Sequence, residues 1–467
     1  MRIRRLGRGL LAASVIAPLA VAQAQTPPTI EELLQRLEQQ EQAIKVLERR
    51  LENMEEADTT AAKSAGQVKA SERGFTVQSA DGKNLVKLRG VLHTDGRHMV
   101  SDEADLPDTF KITRARPIIE GTVGGIYDFR FTPDFGQGRT VIQDAYVTGR
   151  FAPSFQVTAG KFKSPVGLER LQSANDIRFV ARAFPTSLNP NRDIGFKVEG
   201  NVLDDRLSYA VAFVNGSNDG GSSETFTDTD VTSDKEYVAR LFAHPFGSSE
   251  SFALRGLGIG IAGTYTDHTG TNAQPFLPAF RSPAQATVFR YRAGTTPTIA
   301  DGERTRLAPQ FYYYAGRFGL LGEYTEVSQD VSRTLDTAVV RSDTIDTTAW
   351  QLAASFFLTG EEATYRGYKP ISSFSIESGT WGAFELTVRY HELDIDDAAF
   401  AGGADSFADP SASIRKASAF GVGVNWYLSQ NLKWVINYER TSFDGGAADG
   451  GDRDDEEAVL TRVAVGF

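Results

Sequence analysis

The stretch Phe384-Glu385-Leu386-Thr387-Val388-Arg389-Tyr390 alternates apolar and polar residues without a break. Successive side chains of a β-strand point to opposite faces, so one face of this segment is greasy and the other is charged. The same period of two returns at Tyr127, Phe129, Phe131 and Phe135, set against Asp128, Arg130, Thr132 and Asp134. Leu207, Tyr209, Val211 and Phe213 follow it, as do Val86, Leu88 and Leu92 against Lys87, Arg89 and His93. The last residues, Val459, Thr461, Val463, Val465 and Phe467, keep the rhythm and close on an aromatic ring.

Working outward, such segments fall near 85–93, 110–122, 126–135, 140–151, 154–162, 194–202, 206–214 and 235–243. They continue near 256–266, 304–314, 317–328, 345–358, 380–393, 414–427, 431–441 and 457–467, sixteen in all. An even number of amphipathic strands predicts an all-β fold, a 16-stranded antiparallel transmembrane β-barrel. A strand of about 10 residues tilted by about 45° rises roughly 24 Å, the height of a lipid-facing band. Long connections (94–109, 163–193, 215–234, 267–303, 394–413, 442–456) mostly alternate with short ones (123–125, 152–153, 203–205, 315–316, 428–430), as outer loops and inner turns do. Two connections break the pattern: an outer loop of only 136–139, and an inner turn as long as 359–379.

The N-terminus reads differently. Arg2, Arg4, Arg5 and Arg8 precede a short apolar run from Leu10 to Val21, then Ala22-Gln23-Ala24. That is the pattern of a cleaved signal peptide, residues 1–24, too short and too broken by Pro18 for a spanning helix. Ile30, Leu33, Leu37, Gln40, Ile44, Leu47, Leu51 and Met54 then recur in steps of 3 and 4, which predicts a coiled-coil oligomerisation segment over 25–56. Ile at a with Leu at d leans toward two strands. Residues 57–74 carry no strong period and read as a linker, leaving 75–467 for the barrel.

Bulk properties agree. The chain carries −11 with no cysteine, which argues against nucleic acid as partner and against disulfides as the source of stability. Mean hydropathy is −0.28, a value that says little about a barrel because lipid-facing and lumen-facing residues cancel.

Between residues 85 and 200 a more specific series appears. Leu88-Arg89-Gly90 is followed by Thr113-Arg114-Ala115-Arg116-Pro117-Ile118-Ile119-Glu120-Gly121, then Tyr127-Asp128-Phe129-Arg130. Asp144-Ala145-Tyr146-Val147 and Gly160-Lys161-Phe162-Lys163-Ser164-Pro165-Val166-Gly167-Leu168-Glu169 come next. This series resembles the phosphate- and polyphosphate-selective porin family, the O and P type of Gram-negative outer membranes, coiled-coil preface included. The resemblance implies a trimer in the bacterial outer membrane, a third outer loop folded into the bore, and basic rows that conduct anions. The coil's leaning toward two strands stands against that trimer.

Alternation places Arg114 and Arg116 on one face with Glu120, and the opposite face must meet lipid, so these arginines point into the lumen. Lys87, Arg89 and Arg130 fall on the polar face of neighbouring strands. The loop 163–193 holds Lys163, Arg170, Arg178, Arg182 and Arg192 against Glu169, Asp176 and Asp193, a net positive segment in an acidic protein. Concentrated positive charge in a low-dielectric wall raises the local anion concentration, and arginine offers planar donors to phosphate oxygens. Conduction needs weak repeated sites, so a ladder of moderate contacts is expected. Asp128, Asp134, Glu199 and Glu385 are available to offset that charge. Lys161 breaks the pattern, because strict alternation turns it toward lipid unless a bulge intervenes.

The expected function is therefore passive diffusion of small anions, with phosphate a candidate, without enzyme activity, cofactor or metal. Expected partners are outer-membrane lipid and lipopolysaccharide, the barrel-assembly machinery through the terminal strand ending in Phe467, and two further copies in a homotrimer. A general or sugar-type porin of weak charge preference is the alternative within the class. A barrel enzyme would need a Ser–His pair at the rim, and a structural tether would need a longer coil or a wall-binding domain. Gly258-Ile259-Gly260-Ile261-Ala262-Gly263 matches a dinucleotide fingerprint, but it lies within a strand rather than between a strand and a helix. The five histidines are scattered without a zinc motif, and 444–457 reads as a solvated acidic loop.

Overall fold

The computed structural model describes residues 29–64, 66–71, 74–101, 106–221, 233–336 and 339–467. The expected signal peptide lies outside them. Two compact units divide at Ala65 and Gly66.

The first unit is a helix, α1 (Ile30–Ser64), with Glu31 and Glu32 in its first turn, where carboxylates suit the helix dipole. Leu33, Leu37, Ile44, Leu47, Leu51 and Met54 of the heptad seam are all exposed on the single chain. The helix runs on through 57–64, into the stretch expected as a linker, since a nucleated helix extends at little cost through alanine-containing sequence. Residues 67–71 and 74–78 are strands as well, β1 (Gln67–Ser71) and β2 (Gly74–Gln78), paired with each other.

Barrel strands begin with β3 (Leu85–Met99), β4 (Thr109–Val123), β5 (Tyr127–Asp134), β6 (Val141–Ala152), β7 (Phe155–Lys163) and β8 (Arg192–Val202). β9 (Leu207–Val214), β10 (Glu236–Ala243) and β11 (Leu257–Thr269) follow, then a small hairpin in an outer loop, β12 (Ala279–Arg281) and β13 (Thr287–Arg290). β14 (Thr298–Ala315), β15 (Phe318–Asp336), β16 (Val339–Phe357), β17 (Ala383–Ile395), β18 (Ile414–Tyr427), β19 (Leu432–Gly445) and β20 (Glu456–Gly466) complete the wall. Each strand pairs antiparallel with the next, and β20 returns to β3 from Ala458↔Met99 to Gly466↔Val91. The sheet thus closes with sixteen strands, each overlapping an expected segment, though β3, β14, β15 and β16 run six to eight residues further at their outer ends. Closure leaves no unpaired edge in lipid. Phe467 completes it by exchanging two backbone hydrogen bonds with Gly90 at 3.0 and 3.1 Å. Its ring packs where a Cβ on Gly90 would come within 2.7 Å, so a side chain there would have to push the ring aside. β2 takes over pairing with β3 where β20 ends, from Phe75↔Leu88 to Gln78↔Leu85.

Outward faces show where the bilayer lies. On β17 the outward row runs Phe384, Leu386, Val388, Tyr390, then Glu392 and Asp394, and on β19 it runs Trp434, Ile436, Tyr438, then Arg440 and Asp444. One aromatic girdle includes the Trp350–Tyr390 pair, with ring centroids 5.3 Å apart. The other includes the stacked Phe384–Trp426 pair at 5.7 Å. Aromatic belts flanking an apolar band are the signature of an outer-membrane barrel. β15 and β16, at 19 residues each, rise roughly 44 Å at about 45° tilt and overshoot that band. Above it the inward face turns apolar: Val327, Val331, Ile345, Leu393, Ile395 and Ile414 pack with Phe280, Phe289, Phe400 and Phe407 from outer loops.

The third outer loop, 164–191, folds into the bore. Two short helices shape it, α2 (Leu168–Leu171) and α3 (Phe184–Leu188). It crosses to the far wall. There Lys433 Nζ donates to Ile177 O at 2.7 Å, Val180 N donates to Asn437 Oδ1 at 2.8 Å, and Arg389 Nη1 donates to Ala181 O at 3.0 Å. Glu323 accepts from the backbone of Leu168 and from Glu169 N. The long inner turn 358–382 rises to meet it: Tyr365 Oη donates to Leu168 O at 2.7 Å, and Gln172 Nε2 donates to Tyr365 O at 3.0 Å. Its length, anomalous in sequence, serves this contact. Lys161, expected toward lipid, is almost fully buried, and Gly160 just before it departs from extended geometry at φ +120°.

Candidate pore constriction

β3 to β8 carry the candidate residues on one continuous wall. A bulge at Thr113, opposite the His93–Thr94 step of β3, turns its hydroxyl onto Asp95 and leaves Arg114 and Arg116 facing inward together. A second bulge, at Gln143, falls where Pro133 has no N–H to give the ladder.

This wall and the third loop enclose a cavity of about 1320 Å³, which runs from Asn201, Gln430 and Phe467 at the inner end up to Asn191. Lys87, Arg89, Arg114, Arg116, Arg130, Lys163, Arg170, Arg182 and Arg192 all line it. Among the described residues, fourteen lysines and arginines line the cavity against five aspartates and glutamates, in a chain whose overall charge is negative. A smaller, polar cavity of about 220 Å³ lies outward, beneath the short loop Gly136–Gly138 and beside Gly220 and Gly221. Arg114, Arg116 and Asn191 line both cavities, so the two arginines stand at the neck between outer and inner space.

Pairing divides the cations into two groups. Arg116 Nε binds Asp134 at 2.7 Å, and Arg192 Nε binds Asp144 at 2.8 Å. Arg130 reaches Glu120 at 3.2 Å and Asp144 at 3.4 Å, and Arg89 shares Glu120 at 3.2 Å. Among the described residues, no carboxylate oxygen lies within 4.0 Å of Arg114, Lys163, Arg170 or Arg182. These four are held by neutral acceptors. Arg114 donates to the His93 ring at 3.0 Å, and Lys163 Nζ staples the loop by donating to the carbonyls of Arg170, Leu171 and Gln172 at 3.1, 3.3 and 2.8 Å. Arg170 donates to Thr186 O and, at 3.2 Å, to Asn189 O, and Arg182 donates to Glu169 O. In the loop, burial pushes the Arg170 guanidinium below its ordinary range, with Arg182 and Arg192 adding to the effect. Burial also lowers Arg182, against the pull of Glu169. Positive charge is thus concentrated beyond what local carboxylates offset.

Arg178 departs from expectation. It turns to the opposite wall, where Nε binds Glu385 at 2.7 Å and Nη2 donates to Thr364 O at 2.9 Å, so it serves as an anchor rather than a lining group. Sequence reading missed Lys197, Arg240, Arg366, Lys369 and Lys433 in the lining, and Asp144 and His93 among the partners. Strand parity could have found Lys197 and Arg240; the inner turn that carries Arg366 and Lys369 has no period to read.

A closed barrel that spans the outer membrane, with its bore narrowed by an inward loop, is a porin. More narrowly, the chain belongs to the family of phosphate-selective porins O and P, which it matches over residues 86–467. The outer-membrane channel DcaP of Acinetobacter baumannii is similar in fold at 13% identity and a TM-score of 0.52, covering 85% of this chain and 100% of DcaP. OmpF of Salmonella typhi, solved in complex with daunomycin, has the same identity and TM-score over 82% of this chain and 98% of its own. No curated protein matches the sequence.

Proposed function

We propose that this porin is a passive channel that prefers anions, with phosphate or polyphosphate as candidate solutes, and that it catalyses no reaction. The observation that carries the reading is the set Arg114, Lys163, Arg170 and Arg182, four cations lining the larger cavity with no carboxylate in contact among the described residues. Their field raises the local anion concentration, and their number favours handing an anion along over trapping it. Arg89, Arg116, Arg130 and Arg192 are offset by carboxylates, and this favours the second reading, a general or sugar-type porin of weak charge preference.

The assembled form follows from the same reading. The exposed α1 seam brings copies together as a coiled coil, with a homotrimer as the porin arrangement. Lipid and lipopolysaccharide surround the aromatic belts, and the assembly machinery reads the terminal strand ending in Phe467.

Reversal potential across a planar bilayer under a KCl gradient tests the function, followed by phosphate titration. Chloride selectivity with current reduced by millimolar phosphate is the expected result. Chloride selectivity without phosphate inhibition removes the phosphate preference. A cation-selective or neutral channel overturns the anion reading and leaves the general porin.

A further inference from the structure

We propose that His93 is a specificity-determining positioning residue, which fixes Arg114 at the neck of the pore without cancelling its charge. The inference takes its consequence for permeation from the anion-channel reading; its geometry stands apart from that reading.

His93 lies on β3, register-paired with Arg114 on β4 and with Ala464 on β20, and is fully buried. Arg114 Nη1 lies 3.0 Å from His93 Nδ1, and His93 Nε2 lies 2.6 Å from Asn175 Oδ1 in the third loop. A guanidinium can only donate, so Nδ1 accepts and carries no proton. Nε2 then carries the single ring proton and donates it to Asn175. The ring is a neutral strut between arginine and loop.

The surroundings leave it that task. Asp95, the carboxylate on the same strand, is taken at both oxygens by Arg462 from β20, each at 2.7 Å. Lys433 from β19 donates to Ile177 O at 2.7 Å. A carboxylate beside Arg114 would hold the guanidinium equally well but remove its net charge from the pore, as Asp134 does for Arg116. A neutral imidazole supplies the fixing alone. A fixed donor gives up less side-chain freedom when an anion arrives, which favours occupancy at the neck.

The test is the Cl⁻/K⁺ permeability ratio of the full-length porin in planar bilayers, read for His93→Phe, His93→Gln, Arg114→Gln and the Phe/Gln double variant. His93→Phe keeps a flat ring but offers no acceptor; its ratio should fall at least about twofold, from the freedom Arg114 regains. His93→Gln keeps a neutral acceptor and donor and should stay near wild type. Adding His93→Phe to Arg114→Gln should change nothing further. His93→Ala replaces the Phe variant if that chain does not assemble. Three outcomes overturn the proposal: an unchanged ratio in His93→Phe, an equal fall with and without Arg114, or no effect of Arg114→Gln itself. The second would mean His93 acts only through Asn175 and the loop. A wild type without anion preference sinks the proposed function, while the shift between wild type and the His93 variants still decides this one.

Discussion

Two arginines on opposite walls of the lumen are used in contrary ways. Arg389 on β17 is fully buried, bound to Glu439 at 2.7 Å, within 3.6 Å of Glu169, and lies over the Phe179 ring at 4.1 Å. Arg114 on β4 touches a neutral histidine and faces two cavities. The wall from β15 to β19 spends its lumen charges on holding the third loop, and above them on an apolar core. The wall from β3 to β8 leaves Arg89, Arg114, Arg116 and Arg130 partly exposed along the cavity. Strand parity is the same on both sides; the difference is whether a loop has been laid against the face.

Replacing Arg389 with Ala should break the contrast most severely. Glu439 would be left buried with only the His391 ring near it, at 3.9 Å, at a cost of about 3–5 kcal/mol. A lower thermal midpoint of the folded band on electrophoresis, with larger single-channel conductance as the loop loosens, is the expected outcome; an unchanged midpoint would mean that this pair does not hold the loop. Glu323→Ala removes the acceptor for Leu168 and Glu169 and also strands Gln351, which donates to it at 2.6 Å. Its cost should be smaller, about 1–3 kcal/mol, with increased open-channel noise as the readout.

Selectivity sharpens the contrast from the other wall. Arg114→Gln should lower the Cl⁻/K⁺ ratio about sevenfold, because one unit charge across about 7 Å of water is worth about 0.6 kcal/mol and acts with opposite sign on the two ions. Arg116→Gln together with Asp134→Asn removes a balanced pair and should leave the ratio nearly unchanged. If both variants move it equally, paired and unpaired cations are equivalent. The smallest effect of a single charge belongs to Asp176, a cavity-lining residue of the third loop. Burial holds its carboxyl above the ordinary range, against the pull of Lys433 and Arg178. Raising pH through that titration adds one negative charge, so the anion ratio should be higher below it and lower above. Asp176→Asn should flatten that slope.

The strands were legible because their signal is local. Phe384 to Tyr390 alternates whatever the rest of the chain does, and contact with lipid settles which face points out. The same logic placed Arg114 and Arg116 inward. The third loop offered no such period: Arg178 and Arg182 look alike in sequence, yet one binds Glu385 across the bore while the other lines the cavity. The run 57–64 gave no sign of its helix, because weak periodicity does not stop a helix already under way.

By itself, then, the sequence determined the sixteen strands, their faces and the basic wall, since each depends on neighbours two residues apart and on one lipid-facing side. Tertiary structure alone decided which cations are cancelled, which arginines cross to the far wall, and that His93 stands behind Arg114. Those outcomes depend on register between strands and on the path of a loop, which bring together groups as far apart in the chain as Asp95 and Arg462.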